Sequence, residues 1–302
     1  MSLDVDAYKD LVKGLEVGRE YSDSDYNQIS KALMGLYRIG QDEVDQVVKI
    51  PFIDEVADSH NPLPSTFAFT DIFSPSIGDM TRVMNRFGYS HIKKQAFFFS
   101  GIKLDEFDRH VYSILLKMAK DMNFDSKITI SNLQLVKALG IVPQRRSYDR
   151  LKKSLRNIAL SHISFFTEKS WGVFHLLSFD WSEDSFSYSI PSSAKVVFDT
   201  NVIFLDSAIE KRLVKDQFAS KLYSILSTQR KGVDNFLTFN VLEHMYNSNF
   251  GRDIDFRVKI KKSCKKLTDL GVIEEYSVNK HARMGYLLNY RLVNRRVNGD
   301  LF

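Results

Sequence analysis

Two stretches of the chain place basic side chains on one face of a helical pattern and apolar side chains on the other. Apolar residues recur every three or four positions at 148, 151, 155 and 158, and again at 256, 260, 264 and 267. This spacing predicts two amphipathic helices. The basic residues of the first are Arg145, Arg146, Arg150, Lys152, Lys153 and Arg156; those of the second are Arg257, Lys259, Lys261, Lys262, Lys265 and Lys266.

The segments around the first basic helix follow a recognisable order. The pattern predicts a long helix at residues 104–122, a strand at 128–130 and a short helix at 133–139, with Ser131 as its N-cap and Gly140 at its end. Alternating residues at 163–167 and 173–179 predict a hairpin after the basic helix, and residues 185–190 could add a third strand.

The same order recurs about a hundred residues later. The pattern predicts a helix at residues 217–229, a strand at 237–239 and a short helix capped by Asn240. The second basic helix ends at Gly271 and is followed by a hairpin at 272–278 and 286–293, with Lys280, His281 and Arg283 at its tip. The repeated order predicts an α+β fold of two tandem winged helix-turn-helix domains.

The first part of the chain has a different composition from this body. Residues 4–39 have a helical pattern, and Pro51, Pro62 and Pro64 predict a linker or extended strap after it. We therefore divide the chain into an acidic helical N-terminal region and linker at 1–66, a first winged-helix domain at 67–200 and a second at 201–302.

Charge separates the same two parts. The 302 residues have a formal net charge of +5, but residues 1–90 hold 8 Lys and Arg against 15 Asp and Glu, whereas residues 91–302 hold 34 against 22. A basic body attracts phosphate, so double-stranded DNA is the expected partner. An acidic arm is better suited to contact a protein or to fold back over the basic surface.

The sequence lacks the features of membrane proteins, secreted proteins and disulfide-bonded proteins. No apolar run reaches the ~18 residues of a membrane span, and residues 1–6 lack the basic start of a signal peptide, so we expect a cytoplasmic protein without membrane contact. Cys264 is the single cysteine, which excludes an intrachain disulfide and predicts a small buried residue.

The chemistry of catalysis is also missing. The sequence contains no phosphate-binding Gly-rich loop with Lys-Ser/Thr, no G-x-S-x-G and no H-E-x-x-H. Asp105, Glu106 and Asp108 could suggest a metal cluster, but acids in the first turn of a helix are the simpler interpretation. His110 is expected to be a hydrogen-bonded structural residue. We therefore expect no enzymatic activity, no cofactor and no metal.

DNA contacts can be divided by chemistry. Arg145, Arg146 and Arg150 lie at the leading end of the first basic helix, where a guanidinium can bond guanine bidentately, and Arg257 is the matching candidate in the second. The expected phosphate contacts are Lys152, Lys153, Arg156, Lys261, Lys262, Lys265 and Lys266, with Lys259 on the same basic helix. Lys280 and Arg283 could reach the adjacent minor groove or backbone. A solvated surface is the alternative, although residues 257–266 contain no acid to balance their charge.

Several short motifs resemble one family. Residues 67–70 (Phe-Ala-Phe-Thr), residues 101–108, the pair Leu139-Gly140 and residues 270–274 are similar to the plasmid replication initiators with tandem winged helices, most closely the TrfA type. The resemblance covers roughly residues 67–276. It implies binding to repeated origin sites called iterons, opening of an adjacent AT-rich region, recruitment of host helicase and polymerase components, and copy-number control through a monomer–dimer equilibrium.

Two other interpretations stay open. The same winged units suit a transcriptional regulator, and initiators often repress their own gene. Winged helices are also reused for protein contacts, which would make the chain an interaction scaffold. Residues 46–52 could act as a short partner-binding peptide, although an ordinary linker explains them more simply.

Overall fold

The chain folds into helices packed on several small β-sheets, an α+β arrangement. The computed structural model describes residues 59–75, 83–90, 95–119, 122, 124–166, 171–182, 184–194, 202–246 and 253–294. The predicted helices within residues 4–39 and the segment 46–52 lie outside the described residues. Within the described ranges, no helix is long and apolar enough to cross a membrane.

The first part of the body runs to residue 194. Its elements are β1 (His60–Pro64), α1 (Ser65–Phe69), β2 (Phe73–Ser74), β3 (Val83–Ser90), β4 (Gln95–Ile102), β5 (Leu104–Asp105), α2 (Glu106–Met118), β6 (Ile128–Ser131), α3 (Asn132–Ala138), α4 (Arg145–Ala159), β7 (His162–Phe166), β8 (Trp171–His175), β9 (Ser178–Trp181) and β10 (Ser185–Ser189). Helix α4 is the predicted first basic helix.

The second part begins at residue 202. Its elements are β11 (Val202–Asp206), α5 (Ser207–Leu213), α6 (Gln217–Leu226), β12 (Asp234–Thr238), α7 (Phe239–Tyr246), α8 (Asp253–Asp269), β13 (Ile273–His281) and β14 (Gly285–Leu292). Helix α8 is the predicted second basic helix. Strand β11 and helix α5 have no counterpart among the elements predicted from the sequence pattern.

Each part contains a three-stranded antiparallel sheet of the same construction. The strand orders are β6-β10-β9 and β12-β14-β13, so in both sheets the last strand is central and pairs with the strand that precedes the short helix. The order helix, strand, helix, basic helix, hairpin is therefore present twice, as α2-β6-α3-α4-β9-β10 and as α6-β12-α7-α8-β13-β14, but in the first copy β7 and β8 of another sheet lie between α4 and β9.

The predicted hairpin of the first part forms as β7 and β8, but its prediction as the wing is wrong. The sequence pattern predicts the wing within residues 163–179, but β7 pairs with β4 and β8, which makes a separate four-stranded sheet β3-β4-β7-β8. The hairpin that completes the three-stranded sheet is β9 with β10, and β10 is its central strand and not an added edge. Alternation of apolar residues identifies the strands but not their partners.

Side-chain caps set where the helices begin. Helix α2 starts at Glu106 because the Asp105 carboxylate accepts from the Asp108 backbone N–H at 2.8 Å, and Asp108 accepts from the Asp105 N–H at 2.9 Å. Ser131 caps α3 as predicted. The prediction for Asn240 is wrong, since α7 already includes it and Thr238 Oγ1 accepts from the Val241 N–H.

Strand β1 and a buried polar cluster join the two parts. Residues 60–64, in the range predicted as linker, pair antiparallel with β11. Beneath them the Arg109 guanidinium bonds Glu106 at 2.6 Å, Glu210 at 2.7 Å and Ser220 Oγ at 2.8 Å. Since α2 carries Arg109 and α5 carries Glu210, this ion pair connects elements about a hundred residues apart. The domain boundaries drawn from the sequence remain a prediction.

Neighbouring side chains balance the charge in this buried cluster. Burial alone would lower the pKa of Arg109, but Glu106 and Glu210 raise it above its ordinary value. Burial would raise the pKa of Glu210, and Arg109 and His110 hold it below its ordinary value. His110, bonded to Ser220 Oγ at 2.9 Å, has a pKa lowered by burial to about 4. The predicted structural role of His110 is confirmed.

Candidate nucleic-acid interface

Helix α4 presents its basic residues to solvent over a buried apolar side. Leu151, Leu155 and Ile158 are completely buried against the core of the first part, where α4 packs on α2 and α3. All six basic residues of the prediction are exposed: Arg145, Arg146, Arg150, Lys152, Lys153 and Arg156. The helix therefore offers a predominantly cationic face, in which Asp149 is the exposed acid.

The leading end of α4 is open. Its N-cap, Gln144, makes no side-chain cap bond, and the first turn contains no acid. Arg145 and Arg146 stand at this end, where unpaired backbone N–H groups and the helix dipole also favour an anion. This combination suits a phosphate or a base edge in a groove.

Arg150 has a more defined surrounding than its neighbours. Its guanidinium lies over the Phe107 ring, 3.8 Å from the centroid. Nearby, burial raises the pKa of Asp108 to about 8, an effect that Asp105 increases and Arg150 opposes. Arg150 is thus an oriented cation at the junction of α4 and α2, and its predicted contact with a base stays a prediction.

Helix α8 repeats the design with a different distribution of charge. Phe256, Ile260, Cys264 and Leu267 are fully buried. Lys259, Lys261, Lys262 and Lys265 are exposed, while Arg257 and Lys266 are partly buried. Burial also raises the pKa of the Cys264 thiol to about 12, so it stays protonated, and its prediction as a small buried residue is confirmed.

Three cations of α8 contact other parts of the second half. The Arg257 guanidinium lies 3.8 Å from the Tyr286 ring of β14, and Lys259 Nζ lies 4.7 Å from the Phe218 ring of α6. Lys266 forms an ion pair with Asp216 at 2.9 Å. Residues 257–266 contain no acid, but the fold places the Asp216 carboxylate beside Lys266. Lys266 is therefore the least favourable phosphate contact among the predicted basic residues.

The second hairpin ends in a compact turn. Lys280, His281 and Arg283 are all exposed at this tip, as predicted. His281 Nδ1 accepts from the backbone N–H groups of Arg283 and Met284, both at 3.3 Å. The tip therefore holds two cations on a defined turn at the far end of β13 and β14.

Aromatic rings beside the cations are the feature that sequence reasoning missed. The sequence pattern only places Phe107 in a helix and Tyr286 in a strand, and it gives no role to Trp181 of β9, whose ring lies 5.8 Å from Lys152 Nζ. Ring and cation are far apart in the sequence in each case, so no local pattern could reveal the pairing. These rings orient the cations that they contact.

The described residues hold no arrangement suited to metal chemistry. No group of three His, Cys, Asp or Glu side chains within them could hold a metal ion. Asp105 and Asp108 are occupied in the helix cap, and Glu106 is bonded to Arg109 and Ser220. Glu106 and Asp108 lie in the first turn of α2, as predicted, whereas Asp105 is the N-cap that precedes it.

Comparison with known proteins gives a likeness of fold. No protein-family model matches the chain, and no curated protein matches it. A crystal structure of a selenomethionine derivative of domains 2 and 3 of RctB is similar over 76% of this chain and 98% of that chain, at 10% identity and a TM-score of 0.53. A second crystal structure of RctB domains 2–3 covers 73% of this chain and 95% of its own, at 9% identity and a TM-score of 0.47. The first likeness concerns the fold.

Proposed function

We propose that the chain is a sequence-specific DNA-binding protein with two tandem winged helix-turn-helix units, and that it acts as a plasmid replication initiator. Helices α4 and α8 are the recognition helices, each placed in the major groove of duplex DNA. The hairpins β9–β10 and β13–β14 are the wings. The protein works in the cytoplasm by binding alone, without enzymatic activity or a cofactor.

One observation carries the DNA-binding part of the proposal. In both parts of the body, the exposed basic helix is the third helix of the same order of elements and precedes the hairpin of the three-stranded sheet. In the second part the hairpin follows directly, whereas in the first part β7 and β8 come between. Ten of the twelve basic residues across the two copies of this helix are exposed. A face built for solubility alone has no reason to recur at this topological position, whereas a recognition helix must lie there.

The role in initiation rests on the resemblance to the TrfA-type family. It implies iterons as the bound sites, opening of an adjacent AT-rich region and recruitment of host helicase and polymerase components. It also implies a monomer–dimer equilibrium that contributes to copy control. The crystal structure of RctB domains 2 and 3 that has a TM-score of 0.53 supports the arrangement, because two domains of one chain adopt a similar fold there.

Footprinting and salt titration test the proposal together. The protein should protect directly repeated sites beside its own gene, spaced by about two helical turns. Its affinity should fall by several powers of ten between low and moderate salt, because roughly 6–10 phosphate contacts release counterions. A single isolated site, or a weak salt dependence typical of a protein scaffold, would contradict it.

A set of variants locates the contact on α8. Replacing Lys261, Lys262 and Lys265 by Ala should reduce the salt dependence, and Lys266 is left in place because of its ion pair with Asp216. Replacing Arg230 and Lys231 by Gln is the control. The Gly232 N–H donates to Leu292 O, which places these two cations at the end of the sheet opposite the wing tip.

The same units would also serve a transcriptional regulator or autorepressor. Footprints and salt dependence do not separate that function from initiation. Replication of a plasmid that carries the repeats and depends on this protein does, because a regulator alone would not support it.

A further inference from the structure

Helix α5 and the turn after it carry cations that neither basic helix accounts for. Lys211, Arg212 and Lys215 are exposed, whereas Glu210 and Leu213 on the other side of α5 are 1% and 0% exposed. Among the described residues, none of these three cations has an ion-pair partner. Favourable interaction with the helix dipole explains cations in the last turn, but Lys215 lies beyond the end of α5.

The buried side of α5 fixes the direction of this cationic side. Glu210 accepts from Arg109 at 2.7 Å through Oε1 and from Asn61 Nδ2 at 2.9 Å through Oε2. The Asp206 carboxylate caps the helix by accepting from the N–H groups of Ala208 and Ile209. Since Arg109 belongs to α2, the outward face of α5 has a set position relative to the first part of the body.

That position is beside the turn that leads into α4. A Cβ added to Gly140 would stand 2.9 Å from Cγ and 3.2 Å from Cβ of Lys211, so the Lys211 stem lies against the Gly140 backbone. Gly140 also has φ +69°, a left-handed backbone conformation that glycine adopts readily in the turn between α3 and α4. Arg145 begins α4 only a few residues further on. The stem of Lys211 therefore lies against the turn that leads into the first recognition helix.

We propose that Lys211, Arg212 and Lys215 form a third DNA contact, which binds the phosphate backbone next to the segment read by α4. This inference rests on the proposed function, because it needs α4 in a groove. Phosphates flank any groove that a helix enters, and a cation beside the leading end of the helix reaches the adjoining backbone. Flexible lysines act as point charges, so the contact adds affinity without reading sequence.

Salt titration of matched double variants tests the contact. We compare Lys211→Gln/Arg212→Gln with Arg230→Gln/Lys231→Gln, which removes the same charge at the distant end of the second sheet. Each phosphate contact that is removed lowers the log–log salt slope by about 0.9, so the first variant should lose roughly two units while the control keeps the wild-type slope. Discrimination between the repeat and a scrambled duplex should be unchanged.

The outcomes separate the inference from the proposed function. A wild-type slope in Lys211→Gln/Arg212→Gln, alongside a reduced slope in the α8 lysine variant, overturns the third contact and leaves the function standing. An equal loss in the control overturns it as well, since bulk charge would then be responsible. Absence of salt-dependent DNA binding in the wild-type protein overturns both.

Cross-linking gives a second readout. Cys264 is fully buried with a raised pKa, so a cysteine introduced by Arg212→Cys can be labelled selectively with a photoactivatable group. It should cross-link to the bound duplex next to the segment that α4 protects. Arg230→Cys, labelled in the same way, should not. No cross-link from position 212, or an equal yield from position 230, contradicts the contact.

Discussion

The two basic helices differ most at their leading ends. Helix α4 begins with Arg145 and Arg146, both exposed, and has no acid in its first turn. Helix α8 begins with Asp253 and Asp255, and its first cation, Arg257, is partly buried beside Tyr286. The dipole of α8 is thus already neutralised by its own carboxylates, whereas that of α4 is left for a ligand. Under the proposed function, this difference predicts that α4 reads bases and that α8 contacts phosphates.

Both predicted roles require α4 and α8 to keep a fixed position relative to each other. The buried polar cluster of Arg109, Glu106 and Glu210 connects the two parts of the body that carry these helices. Arg109→Met leaves Glu106 and Glu210 buried without their counter-charge, and removing one partner of a buried ion pair costs about 3–5 kcal/mol. We expect a loss of this size in the free energy of unfolding, measured with urea. Binding to paired sites should also become less sensitive to their spacing.

Arg291→Met is the matched control for this change. Arg291 also bonds two carboxylates, Asp234 and Glu275, but at the surface of the second sheet. Removing it should change stability little, because exposed ion pairs are screened by water. Equal losses in the two variants would show that the buried cluster has no special part in holding the two helices.

Acid should weaken the same junction through His110. The pKa of His110 lies at about 4 in the folded protein because of burial, below the ordinary value of 6.5. Between these values His110 is protonated in the unfolded chain but neutral in the folded chain. The contribution of His110 to the free energy of unfolding is therefore fully present above pH 6.5 and is lost as the pH falls to 4. The loss from this group is about 3 kcal/mol.

The variant His110→Gln isolates that contribution. Glutamine can still bond Ser220 but does not titrate, so urea unfolding at about pH 7 and about pH 4.5 should show a smaller loss than in the wild-type protein. Glu106, Glu210 and Arg109 face this position in both proteins, so their electrostatic effect is common to both. Identical pH dependence of the two proteins would contradict the assignment.

Substitution of the arginines at the start of α4 tests the prediction that this helix reads bases. Arg145→Ala/Arg146→Ala should lower discrimination between the repeat and a scrambled duplex, by about 1–3 kcal/mol for each bidentate arginine–guanine pair that the substitution removes. The α8 variant without Lys261, Lys262 and Lys265 should weaken both duplexes to a similar extent. Competition binding with the two duplexes measures both effects. The opposite distribution between the helices would reverse the comparison.

Local patterns predict much of this fold. Apolar residues at helical spacing identify α2, α3, α4, α6 and α8, and small polar residues locate several of their ends, because both signals lie within a few residues of one another. Most of the basic residues also lie on exposed faces, as predicted. The positions of the helices, their ends and their exposed faces all depend on residues that are close together in the sequence.

What the sequence could not supply were the partners. The alternation in β7 and β8 is equally suited to a wing or to the sheet with β4 in which they lie. Arg109 and Glu210 are individually ordinary charged residues, and only their contact across the junction makes them structural. Likewise, the rings beside the cations of α4 and α8 come from other elements. Long-range pairing of this kind leaves no periodicity to detect.

The smallest expected effect concerns one of those rings. Tyr286→Leu removes the aromatic face beside Arg257, and a cation–π contact at such a site is worth about 0.5–1 kcal/mol. Tyr286→Phe keeps the ring and serves as the control. If Arg257 only holds phosphate, the Leu variant should lose affinity for the repeat and for the scrambled duplex equally, by up to about fivefold, while the Phe variant should match the wild type. A loss confined to the repeat would mean that the ring aims Arg257 at a base, and α8 would then share the reading role assigned to α4.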